Sequence, residues 1–147
     1  MLVNGADKVS INSEFVVNKK FIEEAVKNFG SSTIVATIES NKIKNEYFIT
    51  TSNGRDLYKK NPVQWAKELE DTGVGEIILT SVNNEGLKSG FDVPIIKKIS
   101  EIVKIPVIAH GGCGNIDHII NLIKKTNVTG VALASILHYD SIKKKKK

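Results

Sequence analysis

The sequence predicts an α/β chain built as part of a (β/α)8 barrel. Short apolar, β-branched runs alternate with amphipathic helical stretches along the 147 residues. Those runs are apolar on both faces, as parallel strands covered by helices are. Nearly every run ends in polar or glycine residues; barrels build their sites at that end from many strands, whereas open doubly wound sheets concentrate them at a switch point. A whole barrel has eight strands and about 250 residues. Five such strands are readable here, so an incomplete barrel over residues 1–142 is expected, followed by a lysine tail at 143–147.

The first strand is expected over 8–12, after the small-residue turn at Gly5-Ala6, and it ends in Asn12 and Ser13. Further strands are expected at 34–39, 76–81, 106–110 and 130–135, and helices at 19–28, 62–72, 94–103 and 116–125. Pro62 and Pro94 suit a first helical turn, Asn61 suits a cap, and Gly30 and Gly73 stand where helices stop. Residues 41–58 break the rhythm: Glu46 to Thr51 is β-rich and Ser52-Asn53-Gly54 is a turn signal. A small β-hairpin inserted after the second strand is expected there, forming part of a lid or rim.

Composition narrows the function classes. The content is 41% hydrophobic and 25% charged, as in ordinary globular domains. No apolar run approaches the roughly 20 residues of a membrane span, and residues 1–5 lack the basic region and apolar core of a signal peptide. The formal charge of +5 is carried by Lys143 to Lys147, leaving the other 142 residues neutral, so no nucleic-acid partner is inferred. With the single Cys113 no internal disulfide can form, and a cytoplasmic location is expected.

Candidate chemistry sits at the strand ends. His110-Gly111-Gly112-Cys113-Gly114 would let backbone N–H groups approach a phosphate, with Ala132 to Ser135 as the other wall. Aligning the strand ending at Ser13 with the one ending at Ser135 is consistent either with a second phosphate site across the mouth or with repeated packing constraints. Glu39, expected at a strand end, suits either a general acid or base or a carboxylate that simply reaches solvent. Asn83 to Gly90 reads as a substrate-covering loop that includes Glu85 and Gly86, below Thr80 at its strand end. Lys8 and Glu76 lie at the opposite mouth, where an ion pair is the ordinary expectation and a gate the sharper one. The three histidines form no metal cluster: His118 is expected on a helix surface, His138 after a strand, and His110 alone at a site. No metal or other cofactor is expected, and Cys113, without a base partner, is read as a bystander.

Together, Gly5-Ala-Asp-Lys-Val-Ser-Ile-Asn-Ser13, Gly75-Glu-Ile-Ile-Leu-Thr-Ser81, Gly86-Leu-Lys-Ser-Gly90 and Ala134-Ser135 with His138-Tyr139 resemble the cyclase-subunit family of imidazole glycerol phosphate synthase. The resemblance runs from about Gly5 to Tyr139 and implies the later five of eight βα units, strands four to eight. It implies a barrel that receives ammonia from a docked glutaminase and acts on a ribulosyl-formimino nucleotide carrying two phosphates. The products would be imidazole glycerol phosphate and an aminoimidazole carboxamide nucleotide, in histidine biosynthesis. Asn12 and Ser13 would serve one phosphate site; Gly86, Gly111, Gly112, Ala134 and Ser135 the other; Thr80 and Glu85 the substrate loop; Lys8 and Glu76 the ammonia gate.

This chain departs from the family pattern at several places. Glu39 stands where the family has its second catalytic aspartate, and the strand bearing the first is not among those matched. Asn83-Asn84-Glu85-Gly86-Leu87 replaces Asp-Arg-Asp-Gly-Thr, and His110 replaces a serine. The chain alone is therefore expected to be inactive, and the exposed strand edges and core of a half-open barrel are expected to make it self-associate. The alternatives are a paralogous ammonia-using barrel of surface-sugar amidation and a non-catalytic glutaminase-docking fragment.

Overall fold

The computed structural model describes residues 1–138; Tyr139 and the lysine run at 143–147 lie outside them. Twelve principal elements follow in chain order: β1 (Val9–Ile11), α1 (Ser13–Val17), α2 (Lys19–Phe29), β2 (Ile34–Ile43), β3 (Glu46–Thr51), β4 (Asp56–Tyr58), α3 (Pro62–Asp71), β5 (Glu76–Ser81), α4 (Val93–Ile102), β6 (Val107–His110), α5 (Ile116–Lys125) and β7 (Gly130–Ala132). The seven strands form one sheet. Its parallel members neighbour one another in chain order, β1, β2, β5, β6, β7. A doubly wound sheet reverses its strand order at a switch point. No reversal occurs among the described strands, and the winding is that of a barrel segment, as expected.

Alternation divides the sheet into two faces. Ile34, Ala36, Ile38, Ile77, Leu79, Val107 and Ala109 are buried and pack with Ile22, Trp65, Leu69, Ile96, Ile99 and Leu122 of the helices. This is the core, between sheet and helices. The other face carries Lys8, Ser10 and Asn12 on or beside β1, Thr37 and Glu39 on β2, Glu76, Ile78 and Thr80 on β5, and Ile108 and His110 on β6. Hydrogen bonds join this face across strands: Ser10 Oγ lies 2.5 Å from Thr37 Oγ1, and Lys8 Nζ donates to Glu76 Oε2 at 2.8 Å. Ile78 and Ile108 are only partly buried while their outward-packed neighbours Ile77, Leu79 and Val107 are fully buried. The candidate site is therefore built on the face that the described helices leave open.

Cap chemistry sets the helix bounds. The Asn61 side chain accepts from Val63 N at 2.8 Å with Pro62 in the first turn, and Asn18 accepts from Phe21 N at 3.1 Å. Asn115 accepts from His118 N at 3.1 Å to start α5 over the expected residues. Gly30 and Gly73, with φ of 83° and 92°, end α2 and follow α3.

Three boundaries differ from expectation. The second strand does not stop at Glu39. It continues to Ile43, because β3 pairs antiparallel with residues 39–43 along the edge that β1 leaves free, as β1 pairs only with residues 34–36. The hairpin is thus an extension of β2 as well as an insertion, and the Ser52-Asn53-Gly54 turn joins β3 to β4 as expected. Ser13 does not end a strand: Asn12, at φ −118° and ψ −82°, leaves the extended region and Ser13 opens α1. The last strand ends at Ala132, opposite His110, because Gly111 and Gly112 turn away with φ of 93° and 97° and offer Leu133 to Ser135 no ladder.

Two tethers carry measurable signatures. Tyr47 of β3 donates its hydroxyl to Asp92 Oδ1 at 2.9 Å, fixing the hairpin to the start of α4. Burial, then the bond to Asp92 and its charge, push the Tyr47 phenol up to about 12. A raised phenol contributes stability that is complete below its ordinary value of 10.0 and is lost as pH climbs toward 12. In ultraviolet titrations the Tyr47→Phe variant should lack the highest tyrosine ionisation step.

Glu70, near the end of α3, accepts from the backbone N–H groups of Lys104 and Ile105 and pairs with Lys67. Burial pulls its carboxyl upward, but the bonds from Lys67 and the two backbone donors outweigh that and hold it below 4.5. Its contribution is complete above 4.5 and is lost as pH falls through the lowered folded value. Glu70→Gln should cost about 1–2 kcal/mol at neutral pH and flatten the acid limb of the stability curve, measured by urea denaturation.

Candidate functional site

Glu39 is the centre of the open face. It is 8% exposed, and both carboxylate oxygens are held. Asn12 Nδ2 donates to Oε1 at 2.9 Å, and Gly54 N donates to Oε2 at 3.0 Å. The two donors come from opposite directions in the chain: Asn12 from the end of β1, and Gly54 from the β3–β4 turn. They meet at Glu39 because β1 and β3 share one edge of β2, which brings the hairpin turn over the strand end. With both oxygens accepting, the carboxylate is fixed in orientation, and proton transfer at a defined point is the chemistry it can perform.

One cavity adjoins this carboxylate, and a second shares Glu85, His110 and Ala132 with the first. The larger, about 320 Å³, is lined by Glu39, Thr37, Asn53, Thr80, Glu85 and His110, with Ile78 and Ala132. The smaller is lined by Gly86, Gly111, Gly112, Ala134 and Ser135, together with Glu85, His110, Cys113, Ala132 and Leu133. Every residue expected at the glycine-loop phosphate site thus falls in one cavity. Ser13 lies elsewhere, exposed at the start of α1, and is not brought to either cavity. Asn12 reaches the larger one through its bond to Glu39.

The glycines are also required by packing. A methyl group on Gly112 would strike the carbonyl oxygen of Gly90 and lie 2.9 Å from Asn84 Cβ; on Gly111 it would lie 2.8 Å from Ser81 O. The 82–90 loop crosses here: Gly90 N donates to Gly112 O at 2.7 Å, and Asn84 Nδ2 donates to Gly90 O at 2.8 Å. Asn83 fastens the same loop to β2, accepting from Lys42 N and donating to Lys42 O. Of the asparagines standing where the family pattern has charged residues, Asn83 therefore ties the loop to β2 and Asn84 braces its Gly90 end, which bonds the glycine turn through its backbone.

His118 is not a plain helix-surface residue. Its Nδ1 accepts from Gly114 N at 3.1 Å, closing the turn after β6, and its ring faces Gly90. Cys113 is buried with its thiol pointed at Asn115 O, and burial pushes the thiol up, away from thiolate chemistry. At the other end of the face, the Lys8–Glu76 pair is half open to solvent on the lysine side, at 54% against 15%. Asn53, Gly54, Thr37 and Ser10 were not among the expected site residues. The turn signal at 52–54 located the first two on a turn, but only the shared edge of β2 places that turn over Glu39.

Parallel strands wound in chain order define a segment of a (β/α)-barrel protein, with an oriented carboxylate and a glycine turn at the face where such barrels build their sites. The sequence profile described as histidine biosynthesis protein matches residues 1–143, and the chain belongs to this family. It is 46% identical over 140 residues to the imidazole glycerol phosphate synthase subunit HisF of Bacillus cereus (strain G9842), covering 95% of this chain and 56% of that protein. The protein of the same name from Staphylococcus saprophyticus is 44% identical over 140 residues, with 94% and 56% covered. The chain spans about half the length of the curated relatives it matches. Among the described residues no helix is long and apolar enough to cross a membrane, and no cluster of metal-ligating side chains occurs.

Proposed function

We propose that this chain is the portion of an imidazole glycerol phosphate synthase cyclase that holds the later phosphate-binding and proton-transfer groups, and that it works in the cytoplasm with a glutaminase. The observation that carries the reading is the oriented, buried Glu39 on the same sheet face as the Lys8–Glu76 pair, at the opposite end of the strands. Ammonia released by a glutaminase docked at the Lys8–Glu76 end would travel along Ser10 and Thr37 to a substrate held at the other. There the Glu39 carboxylate would take a proton from the attacking nitrogen or return one during ring closure. The glycine turn, Gly86 and Ser135 would hold one phosphate of a bisphosphorylated nucleotide, and Asn12 and Ser13 would serve the other.

A second reading, an ammonia-using barrel acting on a surface sugar, is favoured by Glu39, Asn83 and His110, which depart from the cyclase pattern together. Calorimetric titration of the purified chain with imidazole glycerol phosphate separates the two. Saturable binding at one site, displaced by inorganic phosphate, is expected for the cyclase. Binding of phosphate without binding of the imidazole compound favours the sugar-amidating barrel.

A further inference from the structure

The cavity at the strand ends carries two carboxylates, Glu39 and Glu85, yet the proposed ligand is an anion. Among the residues lining the two cavities, His110 is the one side chain able to bear positive charge, and it lines both. Its Nδ1 lies 3.1 Å from Thr80 Oγ1, the residue directly opposite it in the β5–β6 ladder. Thr80 is buried, so this contact fixes the ring between the strands. Among the described residues no hydrogen bond engages Nε2.

In a protonated imidazole both nitrogens donate. Nδ1–H is then satisfied by the Thr80 hydroxyl, and Nε2–H is left for an acceptor. Thr80 from β5 contacts the ring, and the titratable groups that line the same cavities are Glu39 from β2, Glu85 from the 82–90 loop and Cys113 from the turn after β6; Ala132 of β7 adds no charge. An anion entering beside Glu85 and the glycine turn brings negative charge next to the Glu85 carboxylate, with Glu39 in the adjoining cavity. A proton taken up by His110 would offset it, and by linkage anion binding and protonation must favour each other equally.

We propose that His110 is a substrate-contacting residue that receives an anionic group of the ligand as the imidazolium, donating from Nε2, so that anion binding is coupled to proton uptake. This rests on the glycine-turn cavity being the anion site.

Sulfate tests it, because sulfate keeps its charge around neutral pH. The 147-residue chain is titrated with sodium sulfate by calorimetry in two buffers of different ionisation enthalpy, and its imidazole nitrogens are followed by NMR. Proton uptake on binding is expected, with the His110 nitrogens moving to their protonated positions. His110→Gln, which keeps a polar group for Thr80 but cannot charge, should bind sulfate roughly tenfold more weakly and take up no proton. If that variant does not fold, the nitrogen shifts of the parent chain decide alone. Sulfate binding with no proton uptake and unmoved imidazole nitrogens overturns the role of His110 while leaving the glycine-turn site standing. Absence of sulfate binding to the folded parent chain overturns both.

Discussion

The Gly112→Ala substitution is expected to destabilise the chain by about 2–4 kcal/mol and to abolish phosphate binding at the glycine turn. Two costs combine. Gly112 has φ of 97°, a left-handed conformation in which a side chain costs about 1–2 kcal/mol. The added methyl would also be driven into Gly90 O, and overpacking a tight contact costs about 1–3 kcal/mol. Relief requires the 82–90 loop to move, which breaks the Gly90 N to Gly112 O bond and carries Gly86 away from Ser135. Gly86→Ala is the informative control, because nothing lies within 4 Å of a methyl there, although its φ of 75° retains the conformational cost. Urea denaturation should therefore show a clearly smaller loss for Gly86→Ala than for Gly112→Ala. Equal losses would mean that the loop crossing is not tight.

Glu39→Gln is expected to lower ammonia-dependent turnover by about 10²–10⁴, measured on this chain assembled with the preceding βα units of a relative. The amide cannot take up a proton, so the chemical role is removed outright. The structural effect is smaller: an amide accepts through one oxygen only, so either Asn12 Nδ2 or Gly54 N–H loses its acceptor. That loss costs about 1–3 kcal/mol if the orphaned donor stays buried. The hairpin turn should loosen first, since Gly54 belongs to a loop while Asn12 is held between β1 and α1. Hydrogen exchange at Gly54 reports this directly. A variant with full turnover and an intact Gly54 amide would remove Glu39 from the chemistry.

The contrast between these residues shows how far the sequence could be read. The parallel strands and the principal helices α2 to α5 were legible because period, caps and prolines agreed; α5 fell on its expected residues, and Asn61-Pro62 marked the start of α3. Bounds failed where a neighbour decided them. Nothing local in residues 40–43 says that β3 will extend β2, and nothing local in Leu133 to Ser135 says that the glycines of another strand withdraw their partner. The five-residue α1 was missed because so short a helix has no readable period and depends on tertiary packing, here through buried Phe15.

The site followed the same division. Glu39, Gly111, Gly112 and Ser135 lie near or just beyond the C-terminal ends of the parallel ladders and could be picked by position. Gly54 and Asn53 could not, because their part depends on how the edge of β2 is divided between β1 and β3. The glycine turn carried two meanings, and the sequence suggested only one. Backbone approach to a phosphate and backbone approach of the 82–90 loop both forbid a side chain there, and the second is visible only in the fold.

The most direct test of the proposed cyclase role is ammonium-dependent turnover of the bisphosphorylated ribulosyl-formimino nucleotide, followed as release of imidazole glycerol phosphate. The purified chain alone should show none. The same chain joined to the preceding βα units of a relative should turn over, and Glu39→Gln in that assembly should not. An assembly that folds and binds the substrate but forms no imidazole glycerol phosphate, or a chain that turns over alone, would contradict it.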